Sequence, residues 1–115
     1  MESILISIKK LLGIAEEYTH FDQDVMININ SALMTLNQLG IGPSNGFVVQ
    51  DNGTMWSDFI GGRTDLEAIK TYVYLKTRLT FDPPQSGFLV EAINKQIAEL
   101  EWRLNVQVEG GTKDE

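Results

Sequence analysis

Apolar residues recur at helical spacing in four stretches of the chain. They are residues 3–12, 22 to about 39, 64 to about 80 and 86 to about 106, and each carries most of its apolar side chains on one helical face. In the third stretch these positions cover nearly half of the circumference, which predicts a central helix packed on more than one side. The pattern predicts a mainly α fold, a small helical bundle of about four helices with a long C-terminal helix.

One segment between the second and third stretches has a β pattern. Residues 47–56, FVVQDNGTMW, place Asn-Gly between two β-prone runs, and this dipeptide is the strongest short signal for a hairpin turn. A lone two-stranded hairpin is marginal in water, so we expect it to pack on a helix or on a neighbouring subunit. Residues 57–62, SDFIGG, predict one further helical turn. The expected fold therefore includes one short β-hairpin.

The length of 115 residues fits one domain, near the size at which monomers are only marginally stable. We expect a single domain over residues 1–109 and a flexible C-terminal tail over residues 110–115, which are polar and include two glycines. No window approaches the roughly 18 apolar residues of a membrane span, so no membrane contact is expected. The N-terminus also lacks the basic start and cleavage site of a secretory signal, which fits synthesis in the cytoplasm.

Charge and composition argue against nucleic-acid binding and catalysis. The chain has 16 acidic and 9 basic residues, a net charge of −7, and its only adjacent basic pair is Lys9-Lys10. Binding to a phosphate backbone relies on clustered Lys and Arg. There is no cysteine, and His20 is the only histidine, so a His-based metal site or a Cys–His nucleophile pair is excluded. Asp22 and Asp24 fit the start of a helix better than a calcium loop. We expect that the protein is not an enzyme and that it has no catalytic residue, no metal site and no cofactor.

Several large apolar residues fall outside the predicted core faces. Trp102 lies roughly opposite the apolar face of the last helix. One explanation is that a small bundle wraps each helix on two sides, or that the tail covers Trp102. The other is that these residues contact other subunits or partners, since exposed apolar patches mark interfaces and tryptophan is enriched in their hot spots. The candidate interface residues are Trp102, Val106, Ile27, Met34, Tyr74, Phe81 and Trp56.

Four segments in order resemble one known family. They are INSALMTLNQLGIGP, WSDFIGG, LEAIKTYVYLKTRLTFDPP and INKQIAELEWRLN. Their combination resembles the head–tail connector proteins, or head-completion adaptors, of tailed double-stranded DNA phages and prophages, and the similarity extends over residues 3–109. The order of a helix ending in NQLG, a tryptophan at the hairpin exit, FDPP and a closing EWRL helix is fairly specific, although no single motif decides.

The resemblance implies a structural virion protein made in the host bacterial cytoplasm and located at the head–tail interface. Such a protein forms a homo-oligomeric ring, commonly of about twelve subunits, beneath the portal protein. The ring extends the DNA channel and provides the docking surface for a stopper or other tail-side completion protein. Many copies at −7 each would repel a phosphate backbone, so that DNA passes through the lumen without specific binding. The alternative is a small helical protein–protein adaptor or regulatory module with a single partner, which predicts a monomer or dimer and no ring.

Overall fold

The computed structural model describes residues 2–61 and 63–113, and side chains up to residue 106. The described residues form five helices: α1 (Ile4–Leu12), α2 (Asp22–Gln38), α3 (Trp56–Ile60), α4 (Leu66–Phe81) and α5 (Gly87–Lys113). The mainly α prediction is confirmed. The last helix continues through Lys113, beyond the predicted end near residue 106. Mobility of residues 110–115 stays a prediction, and residues 114 and 115 lie outside the described part.

Helix α4 lies at the centre of the bundle. It packs most extensively on α2 and also contacts α5 and α1. Its buried side chains span about 200° of the helix at 100° per residue, which agrees with a central helix packed on more than one side. They are Ile69, Tyr72, Val73, Leu75 and Thr77. Among the described helices, none combines the length and the apolar character that crossing a membrane would require.

The short helix α3 inserts into the core beside α1. The Trp56 side chain is 0% exposed, and its indole Nε1 donates to Ser7 Oγ at 2.7 Å. Ser7 Oγ in turn donates to the Ile4 carbonyl at 3.1 Å. Since the buried indole N–H and hydroxyl both have partners, Trp56 contributes its full apolar area without leaving a polar group unpaired.

The predicted β-hairpin is wrong, because both of its arms bond to other parts of the chain. The side-chain amide of Asn30 accepts from the Val49 N–H at 2.7 Å and donates to the Val49 carbonyl at 3.1 Å, as a neighbouring strand would. The other arm meets the N-terminus, where Met55 forms an isolated antiparallel bridge with Ser3. The turn itself is present, with Thr54 N donating to Asp51 O at 3.4 Å.

Replacing Asn30 with alanine should loosen this loop. The change removes both hydrogen bonds to the buried Val49 and leaves its backbone groups unpaired, which should cost about 1–3 kcal/mol of unfolding free energy. Urea unfolding and hydrogen exchange of the Val49 amide would measure both effects. Ser31→Ala, at the exposed neighbouring position, is the matched control and should change little. Equal stability of the two variants would contradict the role given to Asn30.

A buried lysine closes the link between α1 and α2. Lys9 is 2% exposed, and its Nζ donates to the carbonyls of Glu16 at 3.0 Å and Tyr18 at 2.8 Å. The same nitrogen lies 2.8 Å from Asp22 Oδ1, in the first turn of α2. The ammonium thus donates to two carbonyls and has the Asp22 carboxylate as its counter-ion, although the buried Oδ1 of Asp22 lacks hydrogen-bond geometry. This cluster of Lys9, two carbonyls and Asp22, here called the lysine latch, holds the link against the bundle.

Helix α5 is joined to α4 by apolar packing and by one strong polar contact. Ile93, Ile97 and Leu104 are buried on its inner face. The Tyr72 hydroxyl donates to Glu101 Oε2 at 2.6 Å. Burial of the phenol, and next the hydrogen bond to Glu101, raise the pKa of Tyr72 above that of a free tyrosine. The protonated phenol is therefore the form that the fold stabilises.

This contact predicts a loss of stability in alkali. Because the pKa of Tyr72 is higher in the folded than in the unfolded chain, its contribution is complete below the unfolded value of about 10 and is lost as pH rises above it. Tyr72→Phe should be less stable than the parent at neutral pH and should show a shallower decline in unfolding free energy above pH 10. An unchanged slope in Tyr72→Phe would contradict the assignment.

Candidate interaction surfaces

Helix α2 carries an exposed apolar ridge. Its buried residues centre on Ile29 and Leu36, and at 100° per residue Ile27 and Met34 fall on the opposite side. Their side chains are 66% and 58% exposed. The seven-residue spacing placed these two residues correctly, off the core face of α2. Their role as an interface stays a prediction.

A second exposed line follows the outer face of α5. Phe88, Lys95, Trp102 and Val106 fall within about 40° of arc, opposite the buried face, and are together called the outer stripe. Phe88 is 78% exposed and Trp102 is 68% exposed. Trp102 is thus not covered by the described part of the chain. Phe88 was missed in the sequence, although it lies seven residues before Lys95 and fourteen before Trp102, which was available as a signal.

The remaining candidates lie in the bundle itself. Tyr74 and Phe81 are half-buried and pack against the core, so each offers only part of its side chain to a partner. Trp56 is fully buried and is a core residue of the monomer, which corrects its place among the interface candidates. Leu89, which the helical pattern assigned to the buried face, is about half exposed because α5 first meets the bundle at Ile93.

A groove of about 670 Å³ lies between the α1–α2 link, α2 and the end of α4. Phe21, Ile27 and Phe81 supply apolar walls, and the rings of Phe21 and Phe81 meet edge to face with centroids 5.5 Å apart. Asp24 and Asp82 add two exposed carboxylates to the lining. We call it the carboxylate groove. It has adjacent binding positions for a large apolar side chain and for a cation.

A second groove of about 410 Å³ shares Ile27 but differs in charge. Met34, Phe47 and Val48 give it apolar walls, and its polar lining consists of uncharged side chains such as that of Asn30. We call it the neutral groove. It can take an apolar segment, but it has no group that would favour a charged one.

Several charges on these surfaces have no ion-pair partner among the residues that the structure describes. The ion pairs between described residues involve Lys9, Arg63, Lys70 and Arg103. None of them includes Lys95, Asp24 or Asp82. Glu91 and Lys95, four residues apart on α5, form no ion pair with each other, whereas Arg103 lies 2.8 Å from Glu99.

The described residues present no arrangement for metal chemistry. Among residues 2–61 and 63–106, no three or more acidic or histidine side chains are grouped to share an ion. His20 is exposed in the α1–α2 link, with its ring 4.9 Å from that of Phe21 in an edge-on contact.

Comparison with known proteins gives one match. The family model described as "Phage connector protein" matches residues 4–111, which is nearly the whole chain. Neither the curated proteins nor the solved structures yield a match. This chain therefore belongs to the phage connector protein family, whose members are structural, non-enzymatic components of the phage particle.

Proposed function

We propose that this protein is a head–tail connector that assembles as a ring, of about twelve subunits, beneath the portal protein. The ring would extend the DNA channel and present a docking surface for a stopper or other tail-side protein. The observation that carries this proposal is the family match over residues 4–111.

The arrangement of apolar surface supports a ring rather than a two-fold dimer. The outer stripe belongs to α5, whereas the α2 ridge and the two grooves involve no residue of α5. When a subunit binds the next copy through two different surfaces, the contact is head-to-tail, and it closes into a ring if the rotation between copies allows. A two-fold dimer would need only one self-complementary patch.

The charge of the chain fits passage of DNA through the ring. At −7 per copy, the assembled ring would carry a strong negative field, which repels a phosphate backbone. DNA could then move through the lumen without being held by it. We expect the purified protein to leave the mobility of double-stranded DNA unchanged at low salt.

Electron microscopy with the cognate portal protein tests the proposal. The protein and the portal should be imaged alone and mixed, and the mixture should show an added ring on one end of the portal. Trp102→Ala should weaken the ring while the isolated subunit keeps its helical content and thermal stability. No association over a wide concentration range with an intact portal would favour the single-partner adaptor. A large loss of monomer stability in Trp102→Ala would show that Trp102 serves the fold.

A further inference from the structure

We infer that the outer stripe of α5 on one copy docks into the carboxylate groove of the next copy, with Lys95 paired to Asp82 and Asp24. This inference rests on the proposed ring and names the surfaces by which the copies meet. The occupant of the groove is a second copy of this chain.

The first support is the matching order of apolar and charged groups. Along the outer stripe, Lys95 lies seven residues from both Phe88 and Trp102, about 10 Å on each side at 1.5 Å per residue. The stripe thus presents a cation between two large rings. The carboxylate groove presents aromatic and aliphatic walls with carboxylates among them. The cation of the outer stripe can pair with the carboxylates of the groove, and the rings of the stripe can pack on its apolar walls.

The second support is a set of charges that form no ion pair among the described residues. Lys95 is exposed and makes no ion pair with another described residue, and the same holds for Asp24 and Asp82. Bringing Lys95 between the two carboxylates satisfies all three groups in one contact. Opposite charges across a contact also steer the encounter and fix its register.

Charge also decides between the two grooves. The neutral groove has apolar walls of similar kind, but its polar lining is uncharged, so Lys95 would lose water there without gaining a counter-ion. The carboxylate groove provides the counter-ions. Met34→Ser, which alters only the neutral groove, should therefore leave the contact between copies intact.

An acidic neighbour of Lys95 should oppose the docked contact, and removing its charge tests this. Glu99 is paired with Arg103, so Glu91 is the acid beside Lys95 without an ion-pair partner in the described chain. In the docked arrangement Glu91 would face the same carboxylates that attract Lys95. Glu91→Gln removes this repulsion and should therefore strengthen self-association. The change leaves Phe88 and Trp102, the two rings of the outer stripe, as they are.

Charge exchange between copies is the decisive experiment. Lys95→Glu and Asp82→Lys should each raise the protein concentration required for ring formation about tenfold, because each places like charges at the contact. An equal mixture of the two variants should restore assembly, since the glutamate introduced in one variant then meets the lysine introduced in the other, while the native Lys95 meets the native Asp82. The double variant Lys95→Glu/Asp82→Lys should also assemble. Sedimentation and electron microscopy, with and without portal, would measure the rings.

Matched variants control for net charge and folding. Lys10→Glu makes the same charge change as Lys95→Glu at an exposed site on α1, away from both grooves, and Glu67→Lys makes the change of Asp82→Lys at an exposed site on α4. Both should assemble normally. Circular dichroism should show parental helical content for each variant; if Asp82→Lys fails this check, Asp24→Lys takes its place.

The outcomes separate this contact from the proposed function. If the parent forms rings and both charge variants do too, the docking inference is overturned while the ring stands. If each variant is impaired but their mixture is not restored, Lys95 and Asp82 do not meet across copies. If the parent forms no ring with or without portal, the proposed function fails and the docking inference fails with it.

Discussion

Trp56→Ala should lower the unfolding free energy by about 3–5 kcal/mol, the range for removal of a large buried aromatic side chain. The indole is fully buried between α1 and α3, and its loss leaves a cavity as well as an unused acceptor on Ser7. Since a domain of this size is stable by only about 5–15 kcal/mol, this loss would be a large fraction of the total unfolding free energy. Urea unfolding followed by circular dichroism would measure the change.

Two further variants show which interaction is responsible. Trp56→Phe keeps much of the buried volume but removes the hydrogen bond to Ser7, so it should fall between the parent and Trp56→Ala. Trp102→Ala makes the same chemical change at an exposed position and should stay within about 0.5 kcal/mol of the parent. Similar losses at Trp56 and Trp102 would refute the different environments assigned to the two indoles.

Lys9→Met should be the second strongly destabilising change. Methionine fills a similar volume, but it leaves the carbonyls of Glu16 and Tyr18 and the carboxylate of Asp22 without the ammonium. Removing one partner of a buried ion pair costs about 3–5 kcal/mol; we expect a value near the lower end, because the Asp22 side chain keeps 23% of its exposure.

The test of the lysine latch is a double-mutant cycle. Asp22→Asn removes the charge that Lys9 faces, so Lys9→Met/Asp22→Asn should cost less than the sum of the two single changes by at least about 0.5 kcal/mol. Lys10→Met, at the exposed neighbouring position, should be nearly neutral. Additive single effects, or a loss in Lys10→Met equal to that in Lys9→Met, would rule out the latch.

Helices were predictable from the sequence because their signal is local. The apolar faces around Ile29, Ile69 and Ile97 repeat at helical spacing and are buried as expected. The end of α5 near residue 106 was misplaced, because loss of apolar periodicity does not by itself stop a helix. The last helical stretch was predicted to begin near residue 86, and α5 begins at Gly87, where the Oγ of the preceding Ser86 accepts from Leu89 N at 3.4 Å.

The hairpin prediction was wrong because the residues that bond to its two arms are distant in the sequence. Residues 47–56 have a β pattern and a valid turn, but nothing local shows that Asn30 will bond to Val49 or that Ser3 will pair with Met55. The burial of Lys9 could not be predicted either, for a related reason. A lysine in an amphipathic helix predicts an exposed position, and only the folded link supplies the acceptors that allow its burial.

The candidate surfaces were predictable in part. Ile27, Met34 and Trp102 could be identified because each lies opposite a well-defined apolar face on its own helix. Trp56 could not be separated from them, since a five-residue helix has no face long enough to show periodicity. The carboxylate groove was also hidden, because its walls come from segments as far apart in sequence as Phe21 and Phe81.

The contrasting positions of the two tryptophans give this protein two built-in fluorescent reporters. An indole in an apolar interior emits at shorter wavelength than one in water, and only the exposed one is readily reached by a soluble quencher such as iodide. Trp102→Phe would leave Trp56 to report unfolding of the subunit, and Trp56→Phe would leave Trp102 to report the approach of a neighbouring molecule. Folding and assembly could then be followed separately, in the same solution, without attaching a dye.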